Sequence, residues 1–382
     1  MNSRERVVAT LNHKEPDKVP LDIGGTIISS ITTKAYADLR DYLGMPKEDI
    51  KIFDHVQRLP YIDPQLLKKL GVDVHTVQAD YVAGADLQYL DDGDYWAFYD
   101  GWGAKLRMPK QGGHYFDWVE FPINNIDMNE LKNYKWPEPP SQESFMHLRD
   151  KAKYLRENTD YALTGTAIFG GGVFEQPERM MGMENFLMSL AANEEFADTV
   201  MSKITDIYIE TCNRYLNLLG NYLDVFIYWN DMTGQEGPMI SPDTYRRLIK
   251  PKDKKLLDAV KKKTDAKIFY HCCGACRDFI PDLIEIGVDI LNPVQVSAKD
   301  MDTAQLKKEF GKDITFWGGG CDTQEVLPHG TPDQVRDEVK RRINDLAPGG
   351  GFVFTAVHNI QNDVPPENIM VMVETLHEYG KY

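Results

Sequence analysis

The chain has 382 residues, 42% of them apolar, which is enough for one large core. Lys plus Arg (43) against Asp plus Glu (59) leave a formal charge of −16, a surface that repels nucleic-acid phosphates and anionic membrane. No run of about 18 apolar residues is present, so no membrane span is expected, and the charged N-terminal stretch lacks the apolar segment of a secretory leader.

Residues 1–18 read as a charged amphipathic helix and 19–24 as a short strand ending in glycine. Residues 32–75 read as helical, with turns at Gly44, Pro46 and Pro64. Residues 77–122 have another texture. Aromatic residues (Tyr81, Tyr95, Trp96, Tyr99 and Trp102) alternate with polar ones, and Asp-Gly pairs fall at 92–93 and 100–101. That is hairpin chemistry, and it predicts a β insertion packed on the main body, as a lid or a homodimer contact. From about residue 150 helices alternate with short apolar runs. The predicted helices are 145–157, 183–220, 242–263, 276–286, 302–310 and 332–346, each leading to a run, with a last helix at 366–379. Such alternation predicts a parallel sheet with crossover helices. Six units plus the strand at 19–24 approach a single (β/α)8 TIM barrel over 1–382, with an N-terminal helical segment. An open doubly wound sheet is the alternative, but no GxGxxG lies between a strand and a helix.

In a parallel barrel the residues that follow each strand converge at one face. Here they are Asp231, then His271 and Cys273, Asn292 and Gln295, Cys321, and His358 and Asn359. His271 and Cys273 are two apart at a strand end and share a side, with Cys272 on the other. Cys321 follows the flexible run 318–320. One imidazole and two thiolates predict a zinc site with an open fourth position. Five cysteines, four of them in one third of the chain, argue against a disulfide framework and for a cytoplasmic protein with reduced thiols. The pair Cys273 and Cys276 has a redox spacing, but no second pair accompanies it. Cys212 reads as a core residue. Asp231, Glu175 and His358 are candidate catalytic groups, and Asn292, Gln295 and Asn359 candidate cofactor contacts.

The segments RERVVATLNHKEPDKVP, GQEGPMISPDTYRR, HCCG, GVDILNPVQ, FWGGGCDTQ and HNIQNDVPPENI resemble the uroporphyrinogen decarboxylase superfamily over nearly the whole length. His271 and Cys273 with the later Cys321 look like the zinc motif of its corrinoid-dependent methyltransferase branch, which includes the methylcobamide:coenzyme M methyltransferases. The resemblance implies a (β/α)8 barrel, Zn²⁺, and a partner protein carrying methylcobalamin. It also implies a small methyl donor or acceptor, either a thiol or a methoxylated compound. Two features depart from the family. Residues 20–33 carry no Arg or Lys, whereas the decarboxylases grip their substrate's carboxylates there with arginines. The branch's glutamate ligand has no clear counterpart; Gln295 is nearest in position, and Glu175 and Asp231 are acidic alternatives. Tetrapyrrole decarboxylation and non-catalytic corrinoid binding are the competing readings.

Overall fold

A computed structural model describes residues 1–79 and 87–382. Tyr81, expected in the aromatic insertion, lies outside the described residues. Seven parallel strands form one curled sheet in sequential order: β1 (Val74–Thr76), β2 (Ala162–Gly165), β3 (Val225–Trp229), β4 (Lys267–His271), β5 (Ile290–Asn292), β6 (Thr315–Trp317) and β7 (Phe352–Val353). Every residue of β2, β3, β5, β6 and β7 is buried, as expected for strands covered on both faces.

The eighth position is filled by the segment around Leu21. Asp22 N donates to Phe354 O (2.9 Å) and Phe354 N to Pro20 O (2.9 Å) on one side, and Asp73 N donates to Leu21 O (2.8 Å) on the other. This segment joins β7 to β1 and closes the (β/α)8 barrel. Inside, Trp317 is fully buried and its indole N–H donates to Asp22 Oδ2 (2.8 Å). Burial pushes the Asp22 carboxyl up to about 6.

The N-terminal helix is shorter than predicted. It spans Ser3–Leu11 behind an Asn2–Glu5 capping box, and stops where Asn12 caps it and His13 turns to φ 52°. Arg4 pairs with Asp224 (2.9 Å) and Arg6 with Asp73 (2.6 Å), which holds the helix across the ends of strands where β1 and β3 begin. Residues 32–75 contain only two helices, Thr33–Tyr42 and Pro64–Leu70. Between them lie short antiparallel strands, Ile52–Asp54 and Leu59–Pro60, because Gly44 (φ 66°) and Arg58 (φ 59°) turn the chain out of helix. The predicted helix over 183–220 is two, Met183–Ala192 and Glu194–Leu219, divided at Asn193, whose side chain caps the second.

The insertion is a four-stranded antiparallel sheet of Leu90–Asp92, Tyr95–Tyr99, Lys105–Pro109 and Asp117–Glu120. Gly93 (φ 66°) makes the first tight turn; in the second, the Asp100 carboxylate accepts from Trp102 N and Ala104 N, both at 2.9 Å. Trp102 stacks on Phe169 and donates to its carbonyl (2.8 Å), which fastens the sheet to the loop after β2. Tyr95, Trp96 and Tyr99 remain partly exposed.

Candidate metal centre

His271 is the last residue of β4, and Cys273 follows two residues on. Cys273 Sγ lies 3.2 Å from His271 Nε2. His358, from the loop after β7, brings its ring to 5.5 Å from that of His271. The donor atoms of His271, Cys273 and His358 all lie within 4.8 Å of one another, and this is the metal-sized cluster among the described residues.

Cys321, expected as the third ligand, is not part of this cluster. Gly318 (φ 100°) and Gly319 (φ 80°) twist the chain between β6 and Cys321, so strand alternation no longer sets the side chain's direction. Cys321 is fully buried, its carbonyl accepts from Val357 N (3.0 Å), and the charges acting on its thiol are those of Glu338, Asp322 and Arg342. His358, expected as a catalytic group, lies in the cluster with His271 and Cys273. Cys272 faces away from the cluster, buried near Thr233, where its thiol interacts with that of Cys276.

The surrounding residues orient the cluster. Asn292 ends β5 beside His271, and its Oδ1 accepts from His271 Nδ1 at 2.6 Å. The Asn292 amide is itself fixed by donation to Trp317 O (2.7 Å). The Nδ1 proton is thereby held away from the cluster and the Nε2 lone pair faces Cys273. Asp231 Oδ1 accepts from Cys273 N (2.7 Å) and lies 3.6 Å from His271 Nε2. Gln295 Oε1 accepts from Gly274 N (2.7 Å). Asn359 Oδ1 accepts from Ser30 N (2.6 Å), and its amide donates to Ile27 O (2.8 Å) and Gln57 Oε1 (2.9 Å). Asn292 and Asn359 were expected as cofactor contacts. Both are fully buried, with their side-chain amides hydrogen-bonded inside the protein.

A cavity of about 120 Å³ lies over the cluster, lined by Ile27, Ile28, Gln57, Trp229, Asp231, His271 and His358 with Glu175 and Arg179. At roughly 30 Å³ per water, it takes a few solvent-sized groups. Glu175 begins the helix Glu175–Met181 and pairs with Arg179 one turn on. Burial raises the Glu175 carboxyl, and burial together with Glu175 pushes Glu178 up to about 8. Arg179, Gln57 and Trp229 were not singled out from sequence; the i,i+4 spacing of Glu175 and Arg179 was the available signal.

A buried network holds the wall that carries Glu175. The Asp253 carboxylate accepts from Tyr228 OH (2.7 Å), Asn230 Nδ2 (2.9 Å) and Tyr270 OH (2.9 Å). Tyr228 OH in turn accepts from Val173 N (3.1 Å) and Asn230 Oδ1 from Phe174 N (2.9 Å), immediately before Glu175.

The donor set and its field fit a divalent cation. Burial, then the charges of Asp231 and Glu175, raise the Cys273 thiol well above its usual range, while burial and His271 push His358 down to about 4. Burial thus disfavours charge on the Cys273 thiol and on the His358 ring, with Asp231 close beside them. A bound dication would supply the balancing charge and ionise the thiol. Imidazole and thiolate donors suit zinc.

Residues 98–379 match the family model described as Uroporphyrinogen decarboxylase (URO-D). The uroporphyrinogen decarboxylase of Trichlorobacter lovleyi is 25% identical over 194 residues, 51% of this chain and 52% of that protein. The chain thus spans about half the length of this relative. The Geobacter metallireducens uroporphyrinogen decarboxylase is 24% identical over 271 residues, 69% of this chain and 73% of its own. Among solved structures, a methyltransferase from Methanosarcina mazei superposes with a TM-score of 0.64 at 16% identity, covering 99% of both chains. At that identity the likeness is one of fold.

Proposed function

The chain belongs to the uroporphyrinogen decarboxylase family, and from that premise we propose that it is a zinc-dependent methyltransferase working with a corrinoid carried by a partner protein. The observation that carries the reading is the cluster of His271, Cys273 and His358, facing a small cavity at the open end of the barrel. When bound there, zinc supplies a Lewis acid and lowers the pKa of a thiol or hydroxyl brought to its open position.

The chain's own residues supply the rest. Asn292 fixes the tautomer of His271, Asp231 fixes the backbone at Cys273, and Ile27, Ile28 and Trp229 narrow the space for the reacting group. Methyl transfer needs in-line approach and little room, which suits a cavity of about 120 Å³. The names of the curated relatives favour a second reading, tetrapyrrole decarboxylation. Against it stand the absence of Arg and Lys over 20–33, where a polyanionic substrate would be gripped, and a cavity far below the roughly 300 Å³ of ordinary ligand pockets.

The test is to incubate the zinc-loaded protein with methylcobalamin and a set of thiols, or with cob(I)alamin and methoxylated phenols, and follow the methyl-cobalt absorbance. Turnover lost in Cys273→Ala supports the proposal. A metal-free protein that decarboxylates uroporphyrinogen would sink it.

A further inference from the structure

A second cavity lies beside β1, separated from the metal centre by the segment after the barrel-closing strand. Ile27 and Ile28 of that segment face the metal cavity, while Thr26 and Ser30 line the second one. Its volume is about 370 Å³, enough for a one- or two-ring molecule. The walls are largely apolar: Phe53, Tyr61, Ile62, Leu67 and Leu148. Phe53 and Tyr61 stand edge to face, with ring centroids 5.3 Å apart.

One side chain in this cavity is out of place for a structural residue. Beyond β1 the chain stays paired to the neighbouring strand, with Val77 N donating to Thr164 O and Ala79 N to Thr166 O. Thr76 and Gln78 therefore share one face. Gln78 is 2% exposed, lines the cavity, and neither its Oε1 nor its Nε2 has a hydrogen-bond partner. A buried amide with both ends unpaired costs free energy that a leucine of similar size would not. A matching ligand edge removes that cost.

We propose that this cavity is a binding site for an uncharged aromatic molecule bearing a carboxamide or lactam edge, read by Gln78. A primary amide offers one acceptor and one donor side by side, the complement of Gln78, and its ring fills the space against Phe53 and Tyr61. His75, pushed down to about 4 by burial, brings no charge to the cavity at neutral pH. Lys151 also lines it, so a carboxylate is the informative competitor. The proposal is independent of the methyl-transfer reading, because its readout is binding alone.

The experiment titrates the full-length protein calorimetrically with benzamide, benzoate and acetophenone, which share a ring and differ in the edge. Benzamide is expected to bind more tightly than either by about tenfold or more, and Gln78→Leu to remove that preference, weakening benzamide more than acetophenone, whose ketone oxygen can only accept from Nε2. Leu148→Trp, which fills the cavity, should abolish binding of all three. Absence of benzamide binding at millimolar concentration, a preference for benzoate, or unchanged benzamide affinity in Gln78→Leu would each overturn the proposal. If Gln78→Leu does not fold, a crystal of the wild-type protein soaked in benzamide decides. An amide seated on Gln78 supports the site, and an empty or water-filled cavity refutes it.

Discussion

Asn292 offers the sharpest test of the metal centre, because its two hydrogen bonds do different things. Oδ1 accepts from His271 Nδ1 at 2.6 Å, and Nδ2 donates to Trp317 O at 2.7 Å, both fully buried. Asn292→Ala removes both. Losing the acceptor behind a ligating histidine typically weakens metal binding about 10- to 100-fold, or about 1.4–2.7 kcal/mol. Leaving the Trp317 carbonyl unpaired costs a further ~1–3 kcal/mol of folding stability. Asn292→Asp separates the two effects. Its carboxylate still accepts the Nδ1 proton but has nothing to donate to Trp317. Zinc affinity, measured by competition with a chromophoric chelator, should stay near wild type, while the urea midpoint falls. If Asn292→Asp loses zinc as fully as Asn292→Ala, His271 is not oriented through its Nδ1 proton and the argument fails.

Three further outcomes are expected. Purified wild-type protein and Cys321→Ser should each hold about one zinc per chain by metal analysis, and His358→Ala markedly less; the reverse order would restore Cys321 as a ligand. Chelation should abolish methyl-cobalt turnover and added zinc restore it, while far-ultraviolet circular dichroism stays constant; activity that survives chelation counts against the proposed function. Burial raises Asp253 from 3.8 to about 6, so between those values the folded protein binds more protons than the unfolded chain. Its contribution to stability is then fully present below about pH 4 and falls by roughly 3 kcal/mol as the pH rises through 6. Urea titrations of wild type and Asp253→Asn from pH 4 to 7 should differ by a slope in that window, and a constant difference would refute the assignment.

The barrel was legible because β2 to β7 are short apolar runs set between helices, a pattern that survives without any knowledge of contacts. The region before residue 75 was not, since its charged stretches have helical composition while Gly44 and Arg58 carry the positive φ angles that break it. At the metal centre, His271 and Cys273 followed from alternation along one extended segment. The place of His358 beside them did not: Cys321 and His358 both follow barrel strands, and the sequence was read with Cys321 as the third ligand and His358 as a catalytic group. What alternation could not carry across is the backbone at Gly318 and Gly319, whose positive φ angles break the strand geometry before Cys321. Asn292 and Asn359 were read as cofactor contacts from their places at strand ends; their burial and internal hydrogen bonds, which position alone does not reveal, come only from the packed structure. Asp253 was invisible for another reason: it sits on a helix, and only the packed structure brings Tyr228, Asn230 and Tyr270 to it.

With His358 rather than Cys321 as the proposed third ligand, the chemistry would differ as well as the inventory. One imidazole and two thiolates around a dication leave no net charge, whereas two imidazoles and one thiolate leave one positive charge. That charge has neighbours. Asp231 lies 3.6 Å from His271 Nε2, and Glu175 faces the same cavity but is already paired with Arg179. Asp231 is tied to Cys273 N, so it balances the site from a fixed distance without filling the open position. A centre with residual positive charge holds an incoming sulfur or oxygen anion more tightly than a neutral one. A thiolate receiving a methyl group and a phenolate left after losing one present the same charge to that position. On the proposed function such a ligand set would accommodate both directions of transfer, and the choice between them would pass to the walls of the cavity, where Ile27, Ile28 and Trp229 set the size of what approaches.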